Sequence, residues 1–214
     1  MFENALTEKT KRLLQKIGPV MSEESFYLAG GTGLALQFGH RISEDLDFFK
    51  EASFNAEILL SLLKCRVDAV SDVVMEPGTL LVLLDGVKCS FFFYEVPLLY
   101  EKVDLESIKI AEWRDIVAEK VKTISQRGSK KDFLDVYFAI GSSRLSIEEV
   151  VALFRRRFES TKLNLYHTLR SLTYFEDADK EPDPVPSEGH SFHWGEVKSF
   201  FLKNVKEFER NFEK

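Results

Sequence analysis

The chain has 214 residues, 44% of them hydrophobic and 30% charged, the balance of a globular protein with a substantial core. Its 29 Lys and Arg against 35 Asp and Glu give a formal net charge of −6, which excludes a surface that is basic all over and built to coat nucleic acid. No apolar stretch approaches the ~20 residues of a membrane span, and the opening MFENALTEKTKRLLQKIG lacks a signal-peptide core, so a cytoplasmic protein away from membranes is expected.

The two cysteines, Cys65 and Cys89, lie in apolar runs and read as buried free thiols ahead of a disulfide, in keeping with a reducing compartment. The charge is uneven: residues 1–105 hold 10 basic and 16 acidic side chains, whereas 106–214 hold 19 of each. Leu6, Leu13, Leu14 and Ile17 fit an opening helix that ends at Gly18-Pro19. Phe26–Ala29 reads as a short strand running through Gly30-Gly31-Thr32-Gly33 into a helix that includes Leu34, Leu36 and Phe38. Leu46 and Phe48 alternate with Asp45 and Asp47 in a period of two. Residues 56–64 read as a helix, and Arg66–Val74, Thr79–Leu84 and Val87–Tyr94 as strands joined by Pro77-Gly78 and Asp85-Gly86. Helical spacing then takes over, in Ile110–Ile124, Phe133–Ile140, Ile147–Phe158, Leu163–Phe175 and Trp194–Phe212. Between the last two, the alternate prolines of residues 181–189 favour an extended loop. The fold class is therefore α+β: a mixed α/β half, residues 1–105, followed by a helical half, residues 106–214.

Two constellations carry chemistry. Glycines at a strand-to-helix turn let the backbone approach a ligand closely, and the free N–H groups of the helix end suit a phosphate. Alone, Gly30-Gly31-Thr32 is equally an ordinary turn. Asp45 and Asp47, two apart on a strand, point to one face, while Leu46 and Phe48 point to the core. Paired carboxylates of this kind either line a solvated edge or hold a hard cation such as Mg²⁺. The second constellation puts Lys120, Lys122, Arg127, Lys130 and Lys131 within twelve residues, followed by Asp132 and Asp135 on one helix face. A solvated helix end accounts for the cations, and so does a contact with triphosphate or RNA backbone. Asp132 alone reads as a helix cap. Arg155-Arg156-Arg157 reads first as a solvated helix face and second as an RNA footprint. No histidine or cysteine set has zinc spacing.

The 24-residue run Phe26-YLAGGTGLALQFGHRISEDLDF-Phe49 closely resembles the AbiEii-type nucleotidyltransferase toxins of abortive-infection and type IV toxin–antitoxin systems, within the DNA polymerase β-like superfamily. Lys120-VKTISQ-Arg127-GSKKDFL-Asp135 and Arg170-SLTYFEDA-Asp179 resemble later blocks of the same family, so the likeness covers roughly residues 20–200. The resemblance implies a nucleotidyltransferase fold, a small mixed sheet flanked by helices, completed by a helical domain across a cleft. It implies transfer of a nucleoside monophosphate from NTP to an acceptor hydroxyl with release of pyrophosphate, dependent on Mg²⁺ or its substitute Mn²⁺. Asp45 and Asp47 are then the expected metal ligands. Gly30, Gly31, Thr32, Arg41, Ser43 and Arg127 are the expected nucleotide contacts, with His40 beside Arg41. Lys120 neutralises the triphosphate, and Asp135, supported by Asp132, serves as base or metal-orienting group. The implied acceptor is RNA, foremost the tRNA 3′ end, with a protein hydroxyl as the alternative, and the implied partner is a separately encoded antitoxin. At Ser90 the superfamily carries a third carboxylate, which leaves three readings: one well-held metal, a carboxylate supplied by Asp132 or Asp135, or a nucleotide-binding module without catalysis.

Overall fold

The computed structural model describes residues 1–143 and 145–213. The chain divides into two units, Met1–Glu112 and Trp113–Lys214. The first contains α1 (Glu8–Glu23), β1 (Tyr27–Leu28), α2 (Gly30–Phe38), β2 (Leu46–Lys50), α3 (Ala56–Lys64), β3 (Val70–Glu76), β4 (Thr79–Leu84), β5 (Val87–Phe93), β6 (Val103–Leu105) and β7 (Ile108–Ile110). The second contains α4 (Trp113–Gln126), α5 (Lys130–Ser143), α6 (Ile147–Arg157), α7 (Leu165–Ser171) and α8 (Trp194–Glu213).

Among the described residues the first unit forms a mixed sheet of seven strands, ordered β3-β4-β5-β2-β1-β7-β6. β3, β4 and β5 make an antiparallel meander, β2 runs parallel to β5 and antiparallel to β1, and β1 runs parallel to β7. The short strands β6 and β7 carry no periodic signal, and Ile110 lies in β7 rather than at the start of a helix. β7 pairs with β1 and β6 with β7, which extends the first unit to Glu112, past the division expected after residue 105. The strand expected from Arg66 begins only at Val70. The segment before it turns around the Asp85 carboxylate, which accepts the N–H groups of Asp68 and Ala69 and the ammonium of Lys16.

Helix α1 continues through Gly18-Pro19 to Glu23. A proline inside a helix costs about 3 kcal/mol. Burial of Val20 and Met21 beside Leu13 and Ile17 stabilises by about 1.5–3 kcal/mol per side chain, enough to offset that loss. Gly18 has a separate reason: a Cβ there would run into the Ser107 hydroxyl, so α1 lies directly on the turn between β6 and β7. The core of the unit is aromatic at its centre. Phe48 stacks on Phe91 with ring centroids 5.4 Å apart, and Phe26 meets Phe91 edge-on at 5.7 Å. Leu46 and Phe48 are fully buried, so the alternation read from the sequence holds, with Asp47 on the other side of the strand.

In the helical unit, α6 begins with a capping box of Ser146 and Glu149. Helix α7 ends at Ser171, four residues short of the expected Phe175. Phe175 instead packs with Phe133 and Trp194, where Phe133 also meets Phe201. The prolines of residues 181–189 hold an irregular segment, as expected. Lys130 clamps it: its backbone N–H donates to Glu181 Oε2 at 2.7 Å, and its ammonium reaches the Glu181 carbonyl at 2.6 Å and Asp183 at 2.9 Å.

Replacing Phe48 with Ala removes the stacked partner of Phe91 and leaves a cavity in the sheet's core. The expected loss is about 3–5 kcal/mol. Chemical denaturation followed by far-UV circular dichroism measures it, and a loss under about 1 kcal/mol contradicts this account of the core.

Candidate active site

The chain enters β2 under close control. The N–H of Ser43 donates to the carbonyl of Ala5 at 2.8 Å. The Thr10 hydroxyl, from α1, donates to the Glu44 carbonyl at 3.0 Å. The Thr32 hydroxyl, from the first turn of α2, donates to the Asp45 carbonyl. The N–H of Ala29 donates to the Asp47 carbonyl at 2.9 Å. Residues 43–45 precede the paired part of β2: Ser43 makes an isolated parallel bridge with Leu6, and side-chain hydroxyls meet the carbonyls of Glu44 and Asp45.

The glycine turn and the second aspartate meet. Gly30 starts α2 with φ +61°, a conformation that favours glycine, and a Cβ on it would strike Asp47 Oδ2. The Asp47 carboxylate therefore lies against the N-terminus of α2, where the helix amides and dipole favour anions. In the parallel pairing of β2 with β5, Asp47 is the register partner of Ser90. Ser90, the position at which the sequence suggested a missing carboxylate, thus lies beside Asp47 on the neighbouring strand. Of the two free thiols expected to be buried, Cys65 is exposed at the end of α3, whereas Cys89, on the buried side of β5, senses the same pair of aspartates. Burial pushes its thiol up, and the charges of Asp47 and then Asp45 push it further.

The oxygen donors here suit a hard cation. The Asp47 carboxylate lies beside the room that Gly30 leaves, the charge of Asp45 is felt at Cys89 in the same neighbourhood, and Ser90 supplies only a neutral hydroxyl. Among the described residues no three His, Cys, Asp or Glu side chains are grouped to hold a metal. Two carboxylates of this kind are chemically compatible with one Mg²⁺ that would take its remaining oxygens from phosphate and water.

Three expected nucleotide contacts have other engagements. Thr32 is buried and its hydroxyl bonds the Asp45 carbonyl. Ser43 Oγ lies 2.7 Å from Thr32 Oγ1, and the buried Arg41 donates to Ser43 Oγ at 3.4 Å and to the Ile42 carbonyl at 3.3 Å. His40 is buried as well.

In the helical unit, Lys120 is not the open phosphate contact expected from the sequence. Its ammonium lies 2.7 Å from Asp132 Oδ1 and 2.9 Å from Asp135 Oδ2, with both carboxylates fully buried. A buried ammonium of this kind is the counter-ion of its two acids. Arg127 grips Asp132 through Nε at 2.8 Å and Nη2 at 3.1 Å, and its side chain stays 63% exposed. Ser129, which reasoning from the charges missed, donates to Asp132 Oδ2 at 2.8 Å. The Ser-x-x-Asp spacing at a helix start was the available signal. Burial alone raises the Asp132 pKa, but Lys120 and Arg127 outweigh it and hold the carboxyl down at about 2. Asp132 lies in the first turn of α5 as an ion-pair hub, not as its cap.

The other cations divide likewise. Lys122 pairs with Glu119 at 3.1 Å and lies over the Phe158 ring. Lys131 is exposed. Arg155-Arg156-Arg157 is not one solvated face. Arg155 donates to the Phe212 carbonyl at 3.0 Å near the end of α8, Arg156 is exposed, and Arg157 is buried against Asp115 at 2.6 Å.

The ion-pair hub makes two predictions. Asp132 has its folded pKa depressed below the unfolded value of about 3.9, so its contribution is complete above that pH and is lost as pH falls from about 4 to about 2. Acid titration followed by circular dichroism should show native stability falling across that window, and less steeply in Asp132→Asn. Lys120→Met strands two buried carboxylates and should cost about 3–5 kcal/mol in chemical denaturation.

Three comparisons bear on this geometry. Residues 12–85 match the family model described as nucleotidyl transferase AbiEii toxin, type IV TA system. The chain is 36% identical over 212 residues to the uncharacterized protein aq_aa25 of Aquifex aeolicus (strain VF5), covering 96% of this chain and 98% of that one. It shares its fold with JHP933 of Helicobacter pylori at a TM-score of 0.53 and 16% identity, over 96% of this chain and 95% of that one. A second H. pylori structure, of a protein assigned as a nucleotidyltransferase, matches at a TM-score of 0.54 and 16% identity, over 95% of this chain and 98% of that one. With the glycine turn set against Asp47 and the 12–85 match spanning both, the chain belongs to the AbiEii nucleotidyltransferase family.

Proposed function

We propose that this nucleotidyltransferase moves a nucleoside monophosphate from NTP to a hydroxyl of RNA, with the 3′ end of tRNA as acceptor, and releases pyrophosphate. Its biological output is growth arrest in a type IV toxin–antitoxin system, relieved by a separately encoded antitoxin. The observation that carries the reading is the contact of Gly30 with the Asp47 carboxylate at the N-terminus of α2. One short stretch there unites a phosphate-binding backbone with a cation-binding acid.

Asp45 and Asp47 hold Mg²⁺, or Mn²⁺ in its place. The ion, when bound, offsets negative charge on the triphosphate and on the departing pyrophosphate. The amides of Gly30 and Gly31 receive phosphate oxygens. Thr32, Ser43 and Arg41 support the segment that carries Asp45. Arg127 presents its exposed guanidinium to an anionic group of nucleotide or acceptor, aimed by its two bonds to Asp132. Lys120 and Asp135 complete the charge balance beneath it. A carboxyl held down to about 2 is a weak base near neutral pH, so Asp132 acts by position and charge.

The test is incubation of the purified chain with Mg²⁺, each α-³²P-labelled NTP in turn, total RNA and lysate protein. Label is expected in a discrete RNA band, reduced roughly 100-fold or more in Asp47→Asn. Label confined to protein would move the acceptor to a side-chain hydroxyl, and undiminished labelling by Asp47→Asn would remove the metal role of that residue.

A further inference from the structure

We propose that the Thr32 hydroxyl is a positioning group for the metal-binding acid rather than a ligand for phosphate, and that Ser43 and Arg41 form its support. The inference rests on the reading of Asp45 and Asp47 as the cation ligands. A threonine hydroxyl has one hydrogen. The Asp45 carbonyl only accepts, so the Thr32 hydrogen is committed to it. The hydroxyl of Ser43, 2.7 Å away, must then supply the hydrogen of the bond between the two side chains. Ser43 Oγ accepts in turn from the Arg41 guanidinium at 3.4 Å. Donation runs one way, from Arg41 through Ser43 and Thr32 to the Asp45 peptide. Thr32 is 1% exposed and Ser43 6%, so water does not compete for these bonds.

The place of this chain of bonds gives it meaning. Asp45 lies just before the paired part of β2, whereas Asp47 is held between β1 and β5. Thr32 connects the Asp45 peptide to the same helix end that receives phosphate. The backbone of one metal-binding acid is thereby tied to the phosphate cradle, and freeing that peptide would free the side chain it carries. Partners that orient a metal ligand change metal affinity about 10- to 100-fold when removed. A phosphate ligand, in contrast, changes the nucleotide KM.

The experiment uses the full chain and Mn²⁺ as probe, with binding read from loss of the free-ion EPR signal. Thr32→Val keeps the shape and loses the hydroxyl, and Thr32→Ser restores it. Thr32→Val should weaken Mn²⁺ about tenfold or more. It should raise the Mg²⁺ concentration for half-maximal transfer by a similar factor, and leave the NTP KM at saturating Mg²⁺ within about twofold. Thr32→Ser should recover most of the affinity. Ser43→Ala, which retains the Thr32–Asp45 bond, should give a smaller shift in the same direction and serves if Thr32→Val does not fold. Thr10→Val removes the neighbouring bond to the Glu44 carbonyl and controls for general loosening. Three results overturn the proposal: a raised NTP KM with unchanged Mn²⁺ affinity, equal Mn²⁺ loss in Thr10→Val and Thr32→Val, or no rescue by Thr32→Ser. Failure of the underlying reading looks different. In that case the native chain itself takes up no Mn²⁺, or Asp47→Asn binds it as well as native, and the positioning role falls with the reading.

Discussion

The first unit depends on how the chain enters β2. Three consecutive residues, Ser43 through its amide and Glu44 and Asp45 through their carbonyls, are held by three different parts of the fold. Extended chain without a strand neighbour normally gives its backbone groups to water and moves. Here those groups are satisfied internally before the sheet begins. The consequence is that the acidic pair is placed by the N-terminal segment, α1 and the start of α2 together. Burial of Leu46 and Phe48 then sets the face on which Asp47 stands.

The helical unit solves a different problem. It buries charge, and buried charge is tolerated only in closed sets. Lys120, Asp132 and Asp135 form one such set, extended to the surface by Arg127. Arg157 and Asp115 form another between α6 and α4. Each is held by residues from two helices, so the ion pairs also define helix register. Lys130 does the equivalent for the proline segment, which has few backbone donors of its own.

Much of this was legible in the sequence, and for identifiable reasons. Period-two alternation exposed β2, paired glycines marked the start of α2, and turn dipeptides bounded β4 and β5. Three-residue strands such as β6 and β7 lack enough length to show a period, and the pairing of β7 with β1 is decided at long range. Pro19 reads locally as a stop, yet the burial of Val20 and Met21 is a tertiary effect. At the site, residue types were readable and engagements were not. Nothing local says that Thr32 bonds a carbonyl thirteen positions on. Nor does the charge pattern say that Lys120 lies between two acids rather than facing outward. Hydrogen-bond direction and burial are properties of the folded chain.

The three successive arginines of α6 carry a broader consequence. Counted along the sequence they form a block of positive charge, and the cations of residues 120–131 form another. Folded, Arg157, Lys120, Lys122 and Lys130 each sit beside carboxylates, so their fields cancel within a few ångströms. A polyanion drifting several Debye lengths away meets little net attraction from these residues, since screening removes what cancellation leaves. These four cations therefore contribute short-range fit rather than electrostatic steering.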